Sequence, residues 1–310
     1  MSFEVKAMSG GFSGQPVFQV VSTAQTYALR TWPDHPETRN KVANWIAALD
    51  CFRDSNDQIA SDCPFPTIVP WSVRASKDPF LANTKHHAWT LAIWLPGIPL
   101  PQKQCSEQFR IELARLVATI HNKTSKRAVS QPSPGMLDRA FAIQAIAEEP
   151  EMRIAVPPVP GIMQTMREID SFAKSCYRKL AQARELSVYQ HWIVRDLWRE
   201  NILVRTDGSF SGIVDLGASR VDRPLFDFIR LFGSMQSSLD DWKCAYHHYN
   251  AVANYTLPAL EECLFLHQVS IAIAIRHWMR QLQVEPTPNP RSISRLMELN
   301  QEWHALQVLR

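Results

Sequence analysis

The chain has 310 residues, 45% hydrophobic and 20% charged, which supplies a sizeable core and excludes a disordered chain. With 33 basic against 30 acidic side chains the net charge is +3, too small a field to point to a nucleic-acid partner. The six cysteines (Cys51, Cys63, Cys105, Cys176, Cys244, Cys263) lie far apart with no C-x-x-C, which argues against a zinc ribbon or a disulfide scaffold and fits a reducing compartment.

The opening MSFEVKAMSGG has no long apolar run, so no signal peptide is expected. Apolar stretches such as 269–275 fall far short of the roughly 20 residues that span a bilayer. The expectation is a cytoplasmic protein with no membrane partner. Glycine is scarce, yet Gly10, Gly11 and Gly14 cluster just before PVFQVV and TYALRTW. Those two runs have the β-branched and aromatic content of strands around a polar turn at 22–25, so a glycine-rich loop on a β-hairpin is expected. Val42, Trp45, Ile46 and Leu49 then mark one face of a helix over 37–52. CPFPTIVPWSV (63–73) reads as extended, and HAWTLAIWLPG (87–97) as a buried strand stopped by Pro96 and Gly97.

From there the pattern is mostly helical: 107–121, 137–147, 161–186, 224–235, 239–255, 258–282 and 293–308, with Pro258 suited to a first helical turn. The division expected is an N-terminal lobe over 1–95 and a helical lobe over 96–310. One stretch interrupts the helices. In 191–224 two alternating runs flank Asp207-Gly208, a strong hairpin signal.

Carboxylates stand at both ends of that hairpin. Asp196 lies just before it, Asn201 at the mouth of its first strand and Asp215 at its far end, and a hairpin brings its ends together. Two acids and an amide are hard oxygen donors, which suit Mg²⁺ and not zinc. The spacing D-x-x-x-x-N followed by D-x-G is the phosphotransfer pattern of protein-kinase-like enzymes. One aspartate stays free of metal to accept the hydroxyl proton, which assigns Asp196 as base. Asn201 and Asp215 are then the metal ligands, and Gly217 eases the turn that follows.

RDLWRENILV…GIVDLGASRVDRPLFDFIRL resembles the aminoglycoside phosphotransferase and choline kinase group of small-molecule kinases. Their D-P-x-x-D segment has a similar counterpart in Arg223-Pro224-Leu225-Phe226-Asp227, with Arg223 in the place of the first Asp. The resemblance implies an α+β, bilobal protein-kinase-like fold, with a small N-terminal β-sheet lobe and a larger helical lobe. It implies a phosphotransferase that uses ATP or GTP on a small-molecule hydroxyl. Only 216–223 separate Asp215 from the next helix, too few residues for a peptide-binding activation segment.

In this reading Gly10, Gly11 and Gly14 cradle phosphates. Arg30 takes the place of the usual strand lysine, keeping the charge but altering the geometry. Glu37 is the nearest carboxylate partner for Arg30, with Asp34 also close in sequence. The backbone at Trp94 and Leu95 is where the resemblance places the hinge that meets the base. Val194 stands where the family has a histidine, and Arg195 where it often has glycine. These departures motivate an alternative, a pseudokinase-like module that binds a nucleotide or partner with little or no turnover. Plainer roles are expected elsewhere. Asp227 holds the catalytic loop or caps a helix, tryptophans such as Trp45, Trp94 and Trp278 pack in the core, and Arg276, Arg280, Arg291 and Arg295 form a solvated helix face.

Overall fold

Strand-like alternation near the N-terminus does produce strands, and the helical periods produce helices. In this computed structural model the described residues are 3–8, 16–33, 35–53, 65, 82–84, 87–101, 105–124, 129–149, 159–235, 237–284 and 289–308. The order begins β1 (Glu4–Met8), β2 (Val17–Val21), β3 (Thr26–Pro33), α1 (Pro36–Arg53), β4 (Ala82–Asn83), β5 (His87–Ile93) and β6 (Ile98–Pro99). It continues with α2 (Glu107–Thr124), β7 (Val129–Pro132), α3 (Pro134–Glu148), α4 (Ile162–Ala183), β8 (Ser187–Ile193), β9 (Ile202–Val204) and β10 (Phe210–Ile213). The last elements are β11 (Arg220–Asp222), α5 (Leu225–Ser234), α6 (Leu239–Asn250), α7 (Leu260–Val284) and α8 (Pro290–Val308).

The chain divides into two units, Met1–Phe109 with Trp192–Arg220, and Arg110–His191 with Val221–Arg310. A break at residue 95 was the sequence expectation. The first unit runs on to Phe109 and takes in the hairpin, whose β9 pairs with short β6. Leu100 N–H extends that pairing by donating to the Ile202 carbonyl at 2.8 Å.

In the first unit an antiparallel five-stranded sheet runs β1-β2-β3-β5-β4. The Ser22 hydroxyl accepts from Gln25 N–H at 3.0 Å and so closes the turn between β2 and β3. Strand β1, which the sequence reading did not include, is exposed along most of its length. Helix α1 buries Val42, Trp45, Ala48 and Leu49, the spacing of one helical face. Gly97 has φ +121°, and a Cβ there would lie 2.5 Å from the Val204 carbonyl oxygen. Only glycine lets β6 approach β9 so closely. The extended reading of 63–73 lies outside the described residues apart from Phe65.

In the second unit β7 pairs antiparallel with β8. The Ser133 hydroxyl caps α3 by accepting from Met136 N–H at 3.2 Å. Helix α5 is buried along nearly its whole length, from Leu225 to Ser234. Its Phe228 and Phe232 rings meet Trp242 at 5.8 and 6.5 Å, and Phe228 meets Tyr249 at 5.5 Å. Two of the arginines expected on a solvated face are buried instead. Arg276 pairs with Asp170 at 2.8 Å and Arg295 with Glu298 at 2.9 Å, which offsets the cost of taking charge out of water. Trp45 is buried as expected, whereas Trp94 and Trp278 are half-buried. Helix α7 starts at Leu260, so Pro258 precedes its first turn. Among the described residues no helix is long and apolar enough to cross a membrane.

Candidate active site

The mouth of the β9–β10 hairpin gathers the three residues that the spacing singled out. Ile213 pairs with Ile202, and one step further Val214 N–H donates to the Asn201 carbonyl at 2.9 Å. The backbone thereby sets Asn201 beside the residue that precedes Asp215. On its other side the Asn201 side-chain N–H donates to the Asp196 carbonyl at 2.9 Å. With its nitrogen committed, the amide presents its oxygen as the remaining acceptor. Asp196, Asn201 and Asp215 are all half-buried, the exposure a ligand-facing group needs. The Asp215 carboxylate and the Asn201 amide oxygen are hard donors of the kind that fit Mg²⁺. Among the described residues no group of three or more His, Cys, Asp or Glu side chains forms an alternative metal cluster.

Two residues here have left-handed backbone. Arg195 has φ 67° and Asp215 φ 63°, the only non-glycine positive φ values among the described residues. Each costs on the order of 1 kcal/mol. The first value explains why a glycine suits the position before Asp196, and the second lies at Asp215 itself.

Arg30 projects from β3 to this hairpin. Its Nη1 lies 2.5 Å from Asp215 Oδ1. Its guanidinium carbon sits 4.2 Å from the centre of the Trp32 ring. Glu37, the carboxylate expected to hold Arg30, is exposed in the first turn of α1, and the ion pair goes to Asp215 instead. Asp34 lies outside the described residues, as do Gly10, Gly11 and Gly14. The chain that follows those glycines is fixed beside Arg30, because Val17 pairs with Arg30 and the Pro16 carbonyl accepts from Thr31 N–H at 3.2 Å.

At the expected hinge, Trp94 N–H donates to the Thr26 carbonyl at 3.0 Å, which extends the β3–β5 pairing by one residue. That N–H is therefore spent on the sheet. Pro96 has none, so Leu95 carries the N–H of this segment that can meet a base edge.

Val194 is fully buried. His191 does not replace the family histidine. Its Nδ1 lies 3.2 Å from the His121 carbonyl within the second unit, and burial, with His121 nearby, lowers its pKa. Asp227 lies in the first turn of α5. Its carboxylate is fully buried and 3.2 Å from His121 Nε2, while His121 Nδ1 lies 2.7 Å from the Tyr249 hydroxyl. The sequence reading missed Trp32. The signal was present, since Arg30 and Trp32 are two apart on a strand and share a face.

A small antiparallel sheet, a hairpin with acids and an amide at its mouth, and a mostly helical second unit make up a protein-kinase-like fold. The model of the phosphotransferase enzyme family known as APH matches residues 4–262. The chain belongs to that family, a family of phosphotransferases, and its structural neighbours are small-molecule kinases. No curated protein matches the chain by sequence. Among solved structures, the spectinomycin phosphotransferase APH(9)-Ia, in complex with ADP and spectinomycin, is 12% identical with TM-score 0.66 over 98% of this chain and 92% of that one. The choline kinase LicA from Streptococcus pneumoniae is 14% identical with TM-score 0.60 over 98% and 94%. The amicoumacin kinase hAmiN, in complex with AMP-PNP, Ca²⁺ and Ami, is 10% identical with TM-score 0.63 over 98% and 88%. At such identities the likeness is one of fold.

Proposed function

We propose that the protein is a cytoplasmic kinase that moves the γ-phosphoryl group of ATP or GTP to a hydroxyl of a small molecule. In this reading the Asp196 carboxylate accepts the hydroxyl proton as the acceptor oxygen bonds to the γ-phosphorus. The bond from that phosphorus to the β,γ-bridging oxygen breaks, and the nucleoside diphosphate leaves. Asn201 and Asp215 hold Mg²⁺, whose charge offsets that of the phosphates. Arg30, with Gly10, Gly11 and Gly14, engages the phosphate oxygens, and the backbone at Trp94 and Leu95 meets the base. Such chemistry draws its rate from positioning and charge neutralisation, because little covalent work falls to the protein.

The observation that carries this reading is the pair of Asn201 bonds, one to the Asp196 carbonyl and one from Val214 N–H, which tie base and metal ligands into one loop. The short run between Asp215 and α5 supports a small acceptor, as do the spectinomycin and Ami bound in the neighbours named above. Release of ADP or GDP over a panel of metabolite and antibiotic alcohols tests it. An acceptor should give turnover that Asp196→Asn reduces by about 10²–10⁴-fold, the span of general-base contributions. Nucleotide binding without turnover on any acceptor would favour the pseudokinase reading.

A further inference from the structure

Protein-kinase-like sites need their phosphate-binding cation held in place, commonly by a helix carboxylate. Here Glu37, the carboxylate expected in that place, is exposed, and Arg30 turns to Asp215 instead. The side chain of Arg30 is nonetheless mostly buried, at 15% exposure. The ion pair to Asp215 holds one nitrogen of the guanidinium but does not set its plane, and a flexible cation with an unset plane scatters over rotamers and loses affinity as entropy.

We propose that Trp32 is the positioning residue for Arg30, an aromatic shelf that takes over the work of the helix carboxylate and ties the cation to the metal-binding turn. Three observations converge on one indole. Its ring lies under the Arg30 guanidinium at 4.2 Å, within cation–π range. Its Nε1–H donates to the Thr90 hydroxyl at 3.0 Å, a buried bond that fixes the ring plane. Its far edge lies 3.5 Å from where a Cβ on Gly217 would stand, so the ring also packs on the turn that carries Asp215.

The strand geometry explains how one residue does this. Arg30 and Trp32 project from the same face of β3, and Thr90 of β5 is the cross-strand partner of Arg30. The hydroxyl that orients the indole therefore sits directly across from the cation that the indole supports. An arginine suits this arrangement better than a lysine. Its planar head stacks on a ring and still directs N–H groups outward in its plane, whereas an ammonium offers a point charge with no plane to align. The lysine-to-arginine departure and the stranded Glu37 thus have one explanation. A shelf that orients a plane needs a planar cation, and it leaves the helix carboxylate with nothing to hold.

The inference rests on the reading that Arg30 engages nucleotide phosphates, and the test separates the two. Dissociation constants for Mg·AMP-PNP and for adenosine, which lacks phosphates, are measured by calorimetry. The proteins are the full-length wild type, Trp32→Leu, Trp32→Phe, Thr90→Val, Arg30→Met and the Trp32→Leu/Arg30→Met double variant. Trp32→Leu should weaken Mg·AMP-PNP about tenfold, the scale of a desolvated cation–π contact, and leave adenosine within about twofold. In the Arg30→Met background the same change should cost nothing further, within about twofold. Trp32→Phe keeps a ring but loses the N–H. It should weaken Mg·AMP-PNP about threefold, as should Thr90→Val, and these two variants carry the test if the leucine variant does not fold.

Equal losses for adenosine and Mg·AMP-PNP would show a general packing role and overturn the inference. Additive losses in the double variant would overturn it too, because Trp32 would not then act through Arg30. Undiminished Mg·AMP-PNP binding in Arg30→Met would overturn the phosphate role of Arg30 and the inference with it. Failure of the wild type to bind either Mg·AMP-PNP or Mg·GMP-PNP would overturn the proposed function itself.

Discussion

The second unit contains a histidine that should make the protein sensitive to acid. His267 of α7 is buried against the α5 backbone, and its ring would lie 2.0 Å from a Cβ on Gly233, so glycine there makes room for the imidazole. Burial chiefly, then the positive charges of Arg230, Arg295 and Arg139, lower its pKa from the ordinary 6.5 to about 3. A group whose folded pKa is depressed takes up protons in the unfolded chain first. Stability is therefore complete above pH 6.5 and is lost as pH falls toward 3. At pH 5 the unfolded histidine is almost fully protonated while the folded one is not, a gap of about 1.5 pH units, or roughly 2 kcal/mol. Urea unfolding of wild type and His267→Gln at pH 7 and pH 5 isolates this contribution, because other titrating groups are common to both proteins. The wild type should lose about 2 kcal/mol more than the variant between the two pH values. Equal losses would show that His267 already carries a proton when folded, and would refute the burial argument.

Other outcomes follow from single contacts. Tyr249→Phe removes the hydroxyl 2.7 Å from His121 Nδ1 and leaves a buried polar group without that partner, so it should cost about 1–3 kcal/mol at pH 7 by chemical denaturation. Burial, and then the Asp227 charge, raise the Tyr249 pKa well above 10. The stability held by its protonated form is lost above the unfolded value near 10, so the gap between wild type and Tyr249→Phe should narrow there. A gap that stays constant to pH 11 would contradict this. Gly97→Ala must relieve both a positive φ and an approach of 2.5 Å to the Val204 carbonyl oxygen, so it should lower stability by about 2 kcal/mol or more in thermal or urea melts. An unchanged melting temperature would show that β6 can move away from β9 at little cost.

Much of the site was legible in the sequence because hairpins and turns are local. Asp207-Gly208 named the turn, the alternating runs named its strands, and the ends of a hairpin must meet, so Asn201 and Asp215 could be placed without tertiary information. The helices were legible from their periods, with ends off by a few residues where capping rather than periodicity decides. What escaped depended on distant partners. The two-residue strand β6 has no signal of its own and is defined by its pairing with the distant β9. Arg30 was read against a carboxylate a few residues on, Glu37, whereas its partner Asp215 lies 185 positions away. The burial of Arg276 and Arg295 likewise follows from acids on neighbouring turns and helices, Asp170 and Glu298, that a helical-face pattern does not reveal.

The central claim is a division of labour at one hairpin mouth, with Asn201 and Asp215 holding the metal–nucleotide and Asp196 acting on the acceptor. Titration of Mg·AMP-PNP into wild type, Asp196→Asn, Asn201→Ala and Asp215→Asn measures that division most directly. The expected result is a loss of about tenfold or more for Asn201→Ala and for Asp215→Asn, beside an Asp196→Asn constant within about twofold of wild type. Equal weakening in all three, or full affinity in Asp215→Asn, would contradict it.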